Sequence, residues 1–174
     1  LEEMFAGATS FNHPSVSQLG VSTVTDFSSM FSGATAMEQD VTGWDTSSAT
    51  RLTDMFSGAT AFNQDLSDWD FSDVVRFGEF LRDSGLALDN DGSGIYNYNR
   101  LLIALVDQNV LPDTGAGTTT ADRTIDSRPA LYSTGLPTTA RATLTGRGFQ
   151  IVDGGDTDLD VPDAPVSVLA SLTT

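Results

Sequence analysis

Residues 55–63 read MFSGATAFN, and the chain writes nearly the same words twice more, as MFAGATSFN at 4–12 and MFSGATAME at 30–38. A degenerate fourth start, FLRDSG, follows at Phe80. The starts lie 26, 25 and 25 residues apart. A fixed period of this length marks a repeat protein in which each short unit stacks on copies of itself. Such a stack is a device for presenting surface, so binding is the first functional expectation and catalysis the second.

Aligning the copies on Met-Phe exposes the frame. In the third copy it runs Leu66, Trp69, Phe71, Val74, Phe77 and Phe80-Leu81. In the second it runs Val41, Trp44, Thr46, Ala49, Leu52 and Met55-Phe56, and in the first Val16, Leu19, Val21, Val24, Phe27 and Met30-Phe31. The first half has the L-x-x-L-x-L form of a leucine-rich-repeat strand, with Trp in its middle slot. Trp69-x-Phe71 sends two side chains to one face of a short strand. The second half changes to spacings of three, three and one, which predicts one face of a short helix. Ser22, Ser47 and Ser72 would cap that helix, and Gly7, Gly33 and Gly58 would turn the chain after it. The expected coil is strand, helix, return. The expected fold is an α/β repeat, a right-handed leucine-rich-repeat-like solenoid of 25-residue coils, in which Trp44 and Trp69 stack and Leu19 completes their ladder.

The frame carries a resemblance. The pattern M-F-x-G-A-x-x-F-N-Q-D-L-S-x-W-D-x-S-x-V is similar to the repeat of the BspA-like leucine-rich-repeat surface proteins of bacteria. It reads Met55-Phe56-Ser57-Gly58-Ala59 through Phe62-Asn63-Gln64-Asp65-Leu66 to Trp69-Asp70 and Val74. The first copy departs from it, with Asn12-His13-Pro14 for Asn-Gln-Asp and Leu19-Gly20 for Trp-Asp. Stretches at 98–105, 130–133, 140–144 and 148–155 resemble the module that commonly ends such repeats. From its residues alone that module predicts a helix at 96–108, a Gly/Thr-rich loop, a strand near 129–133, a helix at 137–146 and a strand at 148–153. It would form a small C-terminal α+β cap over the open end of the stack. The expected domains are therefore a solenoid at 1–84, a capping module at 85–155, and an acidic linker with the start of a further domain at 156–174. Because Leu1 falls inside a repeat, the expectation is a piece of a larger protein.

Twenty-four acids face eight bases, for a net charge of −16. Every base is Arg, and up to Leu81 twelve acids stand against only Arg51 and Arg76. Such a surface repels phosphate backbones and anionic lipid, which argues against nucleic-acid partners and against membrane insertion. No run of residues is long and apolar enough to span a bilayer. The absence of cysteine excludes disulfides and thiolate chemistry. The charge asks for salt or bound cations, and a saline or calcium-rich exterior meets that need. Acids that merely keep an extracellular protein soluble are the alternative.

The strand pattern predicts an acidic strip on the concave face. Asp45 and Asp70 lie between frame positions, with Asp68 before the Trp of coil three and Asp73 just past its Ser. A peptide or a glycan is the expected ligand of this strip. The structural alternative is that Asp45 and Asp70 serve their own turns by bonding the backbone two residues on. Residues 89–94, DNDGSG, resemble the start of a calcium loop, with Asp89 and Asp91 as ligands. Arg100 stands where the bidentate Glu would be, so the expectation is a looser structural calcium site or a plain Gly-rich turn. Asp153, Asp156 and Asp158, with Asp160, make a second cluster that the resemblance to multi-domain surface proteins marks for calcium, whereas the residues alone give only a negatively charged linker. His13 is the only histidine, no nucleophile elbow is present, and no break in the repeat houses a carboxylate pair. No enzymatic activity is expected. The functional expectation is an extracellular, cell-surface ligand-binding module of a large bacterial adhesin. A ligand-free structural spacer and an accessory domain of a secreted enzyme are the alternatives.

Overall fold

A computed structural model describes residues 1–86, 97–115, 118–127, 132–133, 136–153 and 156–157. In residues 1–86 the copies lie directly on one another. The N–H groups of Leu1, Glu3, Phe5 and Gly7 donate to the carbonyls of Asp26, Ser28, Met30 and Ser32 at 2.7–3.2 Å. Phe27, Ser29, Phe31 and Gly33 donate in turn to Arg51, Thr53, Met55 and Ser57, and Leu52, Asp54, Phe56 and Gly58 to Arg76, Gly78, Phe80 and Arg82. Each bond runs from the earlier coil to the later one. Outside this arc the direction reverses, with Ala36, Thr50, Ala61, Val75 and Gly85 donating back to Thr9, Thr25, Thr35, Thr50 and Ala59 of the preceding coil.

The interior is a set of aligned columns. The rings of Phe5, Phe31 and Phe56 stack at 5.3 and 5.6 Å between centroids, and Trp44 and Trp69 stack at 6.1 Å and 10°. Each indole N–H reaches back to the preceding coil, Trp44 Nε1 to the Val16 carbonyl at 3.1 Å and Trp69 Nε1 to that of Val41 at 2.9 Å. A buried indole is tolerated because its one donor is satisfied. Leu19, the smaller residue of the first coil, is half-buried against the same core.

The secondary structure of a coil differs from the expected strand and helix. Apart from a short 3-10 stretch at Pro14–Gln18, the described residues before Asn97 form turns and single bridges, Asp26 to Arg51 and Arg51 to Arg76. The three-residue spacing comes from consecutive turns, in which Met30, Met55 and Phe80 donate to the carbonyls of Phe27, Leu52 and Phe77. Ser29, Asp54 and Glu79 sit between them at positive φ of 54–56°, and a left-handed residue stops a right-handed helix from propagating. With the other amides aimed at the next coil, none is left for helical bonding. Ser22, Ser47 and Ser72 therefore have no helix to cap. Gly7, Gly33 and Gly58 take φ near +70°, as a turn glycine does. Asp83 fills the equivalent slot of the degenerate fourth copy at φ 56°. Trp69 and Phe71 are both buried around an exposed Asp70, as alternation predicts. Their stretch makes no strand, because the Thr46 hydroxyl takes the bonding role, accepting from Asp70 N at 2.9 Å and donating to Asp70 O at 3.1 Å.

Beyond the coils lie α1 (Asn97–Asp107), β1 (Thr124–Asp126), β2 (Tyr132–Ser133), α2 (Leu136–Gly146), β3 (Gln150–Val152) and β4 (Asp156–Thr157). β1 pairs in parallel with β3 through Ile125 and Ile151, and β2 pairs in parallel with β4. The residues read as helix at 96–108 and 137–146 form α1 and α2. β1 was not foreseen, and β4 begins one residue past the expected end of the module. The Phe77 and Leu81 amides, which would meet a further coil, donate instead to the carbonyls of Asp122 and Asp126 at 3.0 and 3.1 Å. Gln108 closes the Trp column, its Nε2 donating to Trp69 O at 2.8 Å and its Oε1 accepting from Phe71 N at 2.7 Å. The Phe149 ring meets Phe77 edge-on at 5.6 Å, and a Cβ on Gly78 would stand 3.0 Å from the Ala121 carbonyl. This segment and the coils share one apolar core.

Candidate functional site

Asp45, Asp68, Asp70 and Asp73 are all exposed. Asp45 Oδ1 accepts from Ser47 N at 3.2 Å and Ser47 Oγ at 2.6 Å, and Asp70 Oδ1 accepts from Ser72 in the same way at 2.9 and 2.6 Å. Each is an Asx turn, which fixes one carboxylate oxygen and leaves Oδ2 facing water. The Ser47 hydroxyl, helped by its amide, holds the Asp45 carboxyl below the usual carboxylate range. Thr46 ties these neighbours together by gripping the Asp70 backbone. Asp68 and Asp73 make no hydrogen bond or ion pair with the described residues.

The same device recurs in a second column. Asp40 Oδ1 accepts from Thr42, hydroxyl and amide, and Asp65 Oδ1 from Ser67 N at 3.0 Å. Burial pushes the Asp65 carboxyl up, but the bonds from Ser67 and Arg100 outweigh it and hold it low, with Arg100 at 2.7 Å. Arg100, which displaces the calcium-binding Glu in the sequence pattern, thus anchors α1 to coil three.

A third column carries charges of both signs, two arginines flanked by two aspartates, and the sequence reading did not identify it. Arg51 pairs with Asp26 and Arg76 with Asp122, each at 3.5 Å. The two arginines of the repeats occupy adjacent rungs, joined by a bridge. Their separation of 25 residues was the signal that would have found them.

Asp153 Oδ2 accepts from Tyr98 OH at 3.0 Å and pairs with Arg141 Nε at 3.0 Å, with its side chain 2 % exposed. Burial, reinforced by the Asp153 charge, pushes the Tyr98 hydroxyl well above its ordinary pKa. This carboxylate therefore ties α1, α2 and the end of β3 together. Asp156 lies in β4, whereas Asp89, Asp91 and Asp158 lie outside the described residues. Among the described residues no three acids or histidines converge as a metal-holding group. His13 is exposed, its Nδ1 2.8 Å from Ser15 Oγ.

A cleft of about 250 Å³ opens between α1 and α2, lined by Ile103, Val106, Leu136, Ala140, Asp107 and Arg147 among others. The Arg147 guanidinium donates to the Leu105 and Val106 carbonyls at 3.3 Å. It caps the C-terminal end of α1, where a cation is favoured.

No helix among the described residues is long and apolar enough to cross a membrane. No curated protein and no solved structure matches the chain. Residues 1–90, just over half of it, match the family described as Mycoplasma protein of unknown function, DUF285. The stacked coils of residues 1–86 fall inside that match, and the chain belongs to the DUF285 family.

Proposed function

We propose that the repeats at 1–84 are a short right-handed solenoid of the leucine-rich-repeat kind, and that the chain is a non-covalent recognition module of a bacterial surface protein of the BspA-like type. It works outside the cell and takes a peptide or a glycan on its acidic strip, with calcium as a structural ion. The observation that carries this reading is the ladder of coils. It holds Asp45, Asp68, Asp70 and Asp73 in the open on successive coils, while the aromatic frame is consumed by the core. Fixed turns with a free Oδ2 are pre-organised acceptors for ammonium, guanidinium or sugar hydroxyl donors, and pre-organisation lowers the cost of binding.

A glycan and peptide array probed with and without calcium tests the reading. Asp45→Asn/Asp70→Asn keeps the turn-forming oxygen and removes the charge. Binding to a cationic peptide or glycan should fall at least tenfold while the melting temperature holds, and unchanged binding would remove the site from this strip. The spacer reading is favoured by the Asx turns themselves, since Asp40, Asp45, Asp65 and Asp70 all serve local structure. An array without a single ligand would decide for it.

A further inference from the structure

We propose that the cleft between α1 and α2 binds a small zwitterion with an apolar side chain, of the class of the free branched or aromatic amino acids. The site belongs to the segment beyond the coils, and the inference is independent of the acidic strip. Its apolar walls are Ile103 and Val106 from α1 and Leu136 and Ala140 from α2. Its volume is about 250 Å³. Drug-sized molecules take roughly 300–1,000 Å³, so the occupant here is compact. Apolar walls with a few charged groups are the usual build of a small-molecule site, and the charged groups select the ligand.

Two groups of opposite charge, Asp107 and Arg147, line this cleft. Arg147 reaches only the Leu105 and Val106 carbonyls, from Nη1 and Nη2 at 3.3 Å. Those contacts leave its Nε–H and one Nη2 hydrogen uncommitted. No carboxylate pairs with it among the described residues, in a chain with twenty-four acids and eight bases. Asp107, the last residue of α1, is exposed, and its carboxylate makes no hydrogen bond or ion pair with the described residues. The helix dipole does not favour an anion at that end. The two charges thus share one cleft without pairing with each other. A simple anion would meet Arg147 against Asp107 and against a net charge of −16. A simple cation would meet Asp107 against Arg147. A zwitterion answers both. Its carboxylate accepts from the free guanidinium donors, its ammonium donates to Asp107, and its side chain takes the apolar walls.

The test titrates free leucine and phenylalanine into the isotope-labelled full chain and follows the amide resonances of α1 and α2. Saturable shifts around the cleft are expected, with a Kd of about 0.1–10 mM for a ligand of so few atoms. Isocaproate and isoamylamine keep the apolar chain of leucine and one charge each, and should bind at least tenfold more weakly. Asp107→Asn, at an exposed position, should weaken leucine binding at least tenfold while the melting temperature holds. Thr143 lines the cleft and is half-buried, so Thr143→Leu should fill the space and abolish binding. Shifts that do not saturate would overturn the proposal. So would either single-charge analogue binding as tightly as leucine, or Asp107→Asn binding leucine unchanged.

Discussion

Residues 1–86 and the described residues of 97–157 contribute to one apolar core but satisfy their backbones differently. α1 and α2 bond within themselves, so each is decided by its own eleven residues. A coil of the stack divides its amides between local turns and the coils before and after it, and no coil has a complete set of partners alone. The same three-residue apolar spacing therefore means a helix in 97–107 and a succession of turns in 74–81. Periodicity reports which side chains face inward, and the destination of the amides decides what the backbone does.

The largest expected effect comes from breaking the stack at its centre. Trp69→Ala removes a buried ring and its bond to Val41, at a cost of about 3–5 kcal/mol. Because the coils and the helices α1 and α2 share one core, urea unfolding followed by Trp44 fluorescence and by helical circular dichroism should shift together. Separate midpoints would show two independent units. A smaller effect is expected where the two regions join. Gln108→Ala leaves Trp69 O and Phe71 N without their partner, which should cost about 1–3 kcal/mol in the same experiment. A loss below about 0.5 kcal/mol would mean that water replaces the amide at no cost.

The smallest effect separates the acids by sign. Asp26, Asp40, Asp45 and Asp65 have carboxyls held below the ordinary 3.8. The stability they lend is present above 3.8 and is lost as pH falls through their lowered values. Asp54 is the reverse, pushed above 3.8 by burial and then by the Glu79 charge one coil away. Its contribution is present below 3.8 and is lost as pH rises through its raised value. Asp54→Asn should therefore stabilise the protein at pH 7 by less than about 1 kcal/mol and change little at pH 3. A loss of melting temperature at pH 7 would contradict this assignment.

The Met-Phe period placed the core correctly because buried frame residues must repeat when identical coils stack. Trp44 over Trp69 followed from register alone. The Asx turns at Asp45 and Asp70 were legible too, since Asp-x-Ser encodes its own local bonds. Other features were not. Asp153 looked like a linker acid, and only the approach of Tyr98 and Arg141, 55 and 12 residues away, shows it as a clasp. β1 was invisible because three residues carry no period, and its pairing with β3 depends on a chain segment 26 residues on.

The sequence by itself determined the repeat length, the inward-facing set, the turns at Gly7, Gly33 and Gly58, and the helices α1 and α2. Each of these follows from side-chain spacing or from a residue's own conformational preference. Only the tertiary structure decided that the coils are turns instead of strand and helix, that their arc bonds all point one way, and that the Asp122 and Asp126 carbonyls stand in for a further coil. Those outcomes depend on where each N–H finds its acceptor, which for the arc bonds lies 24 or 25 residues away and for the Phe77 and Leu81 amides 45.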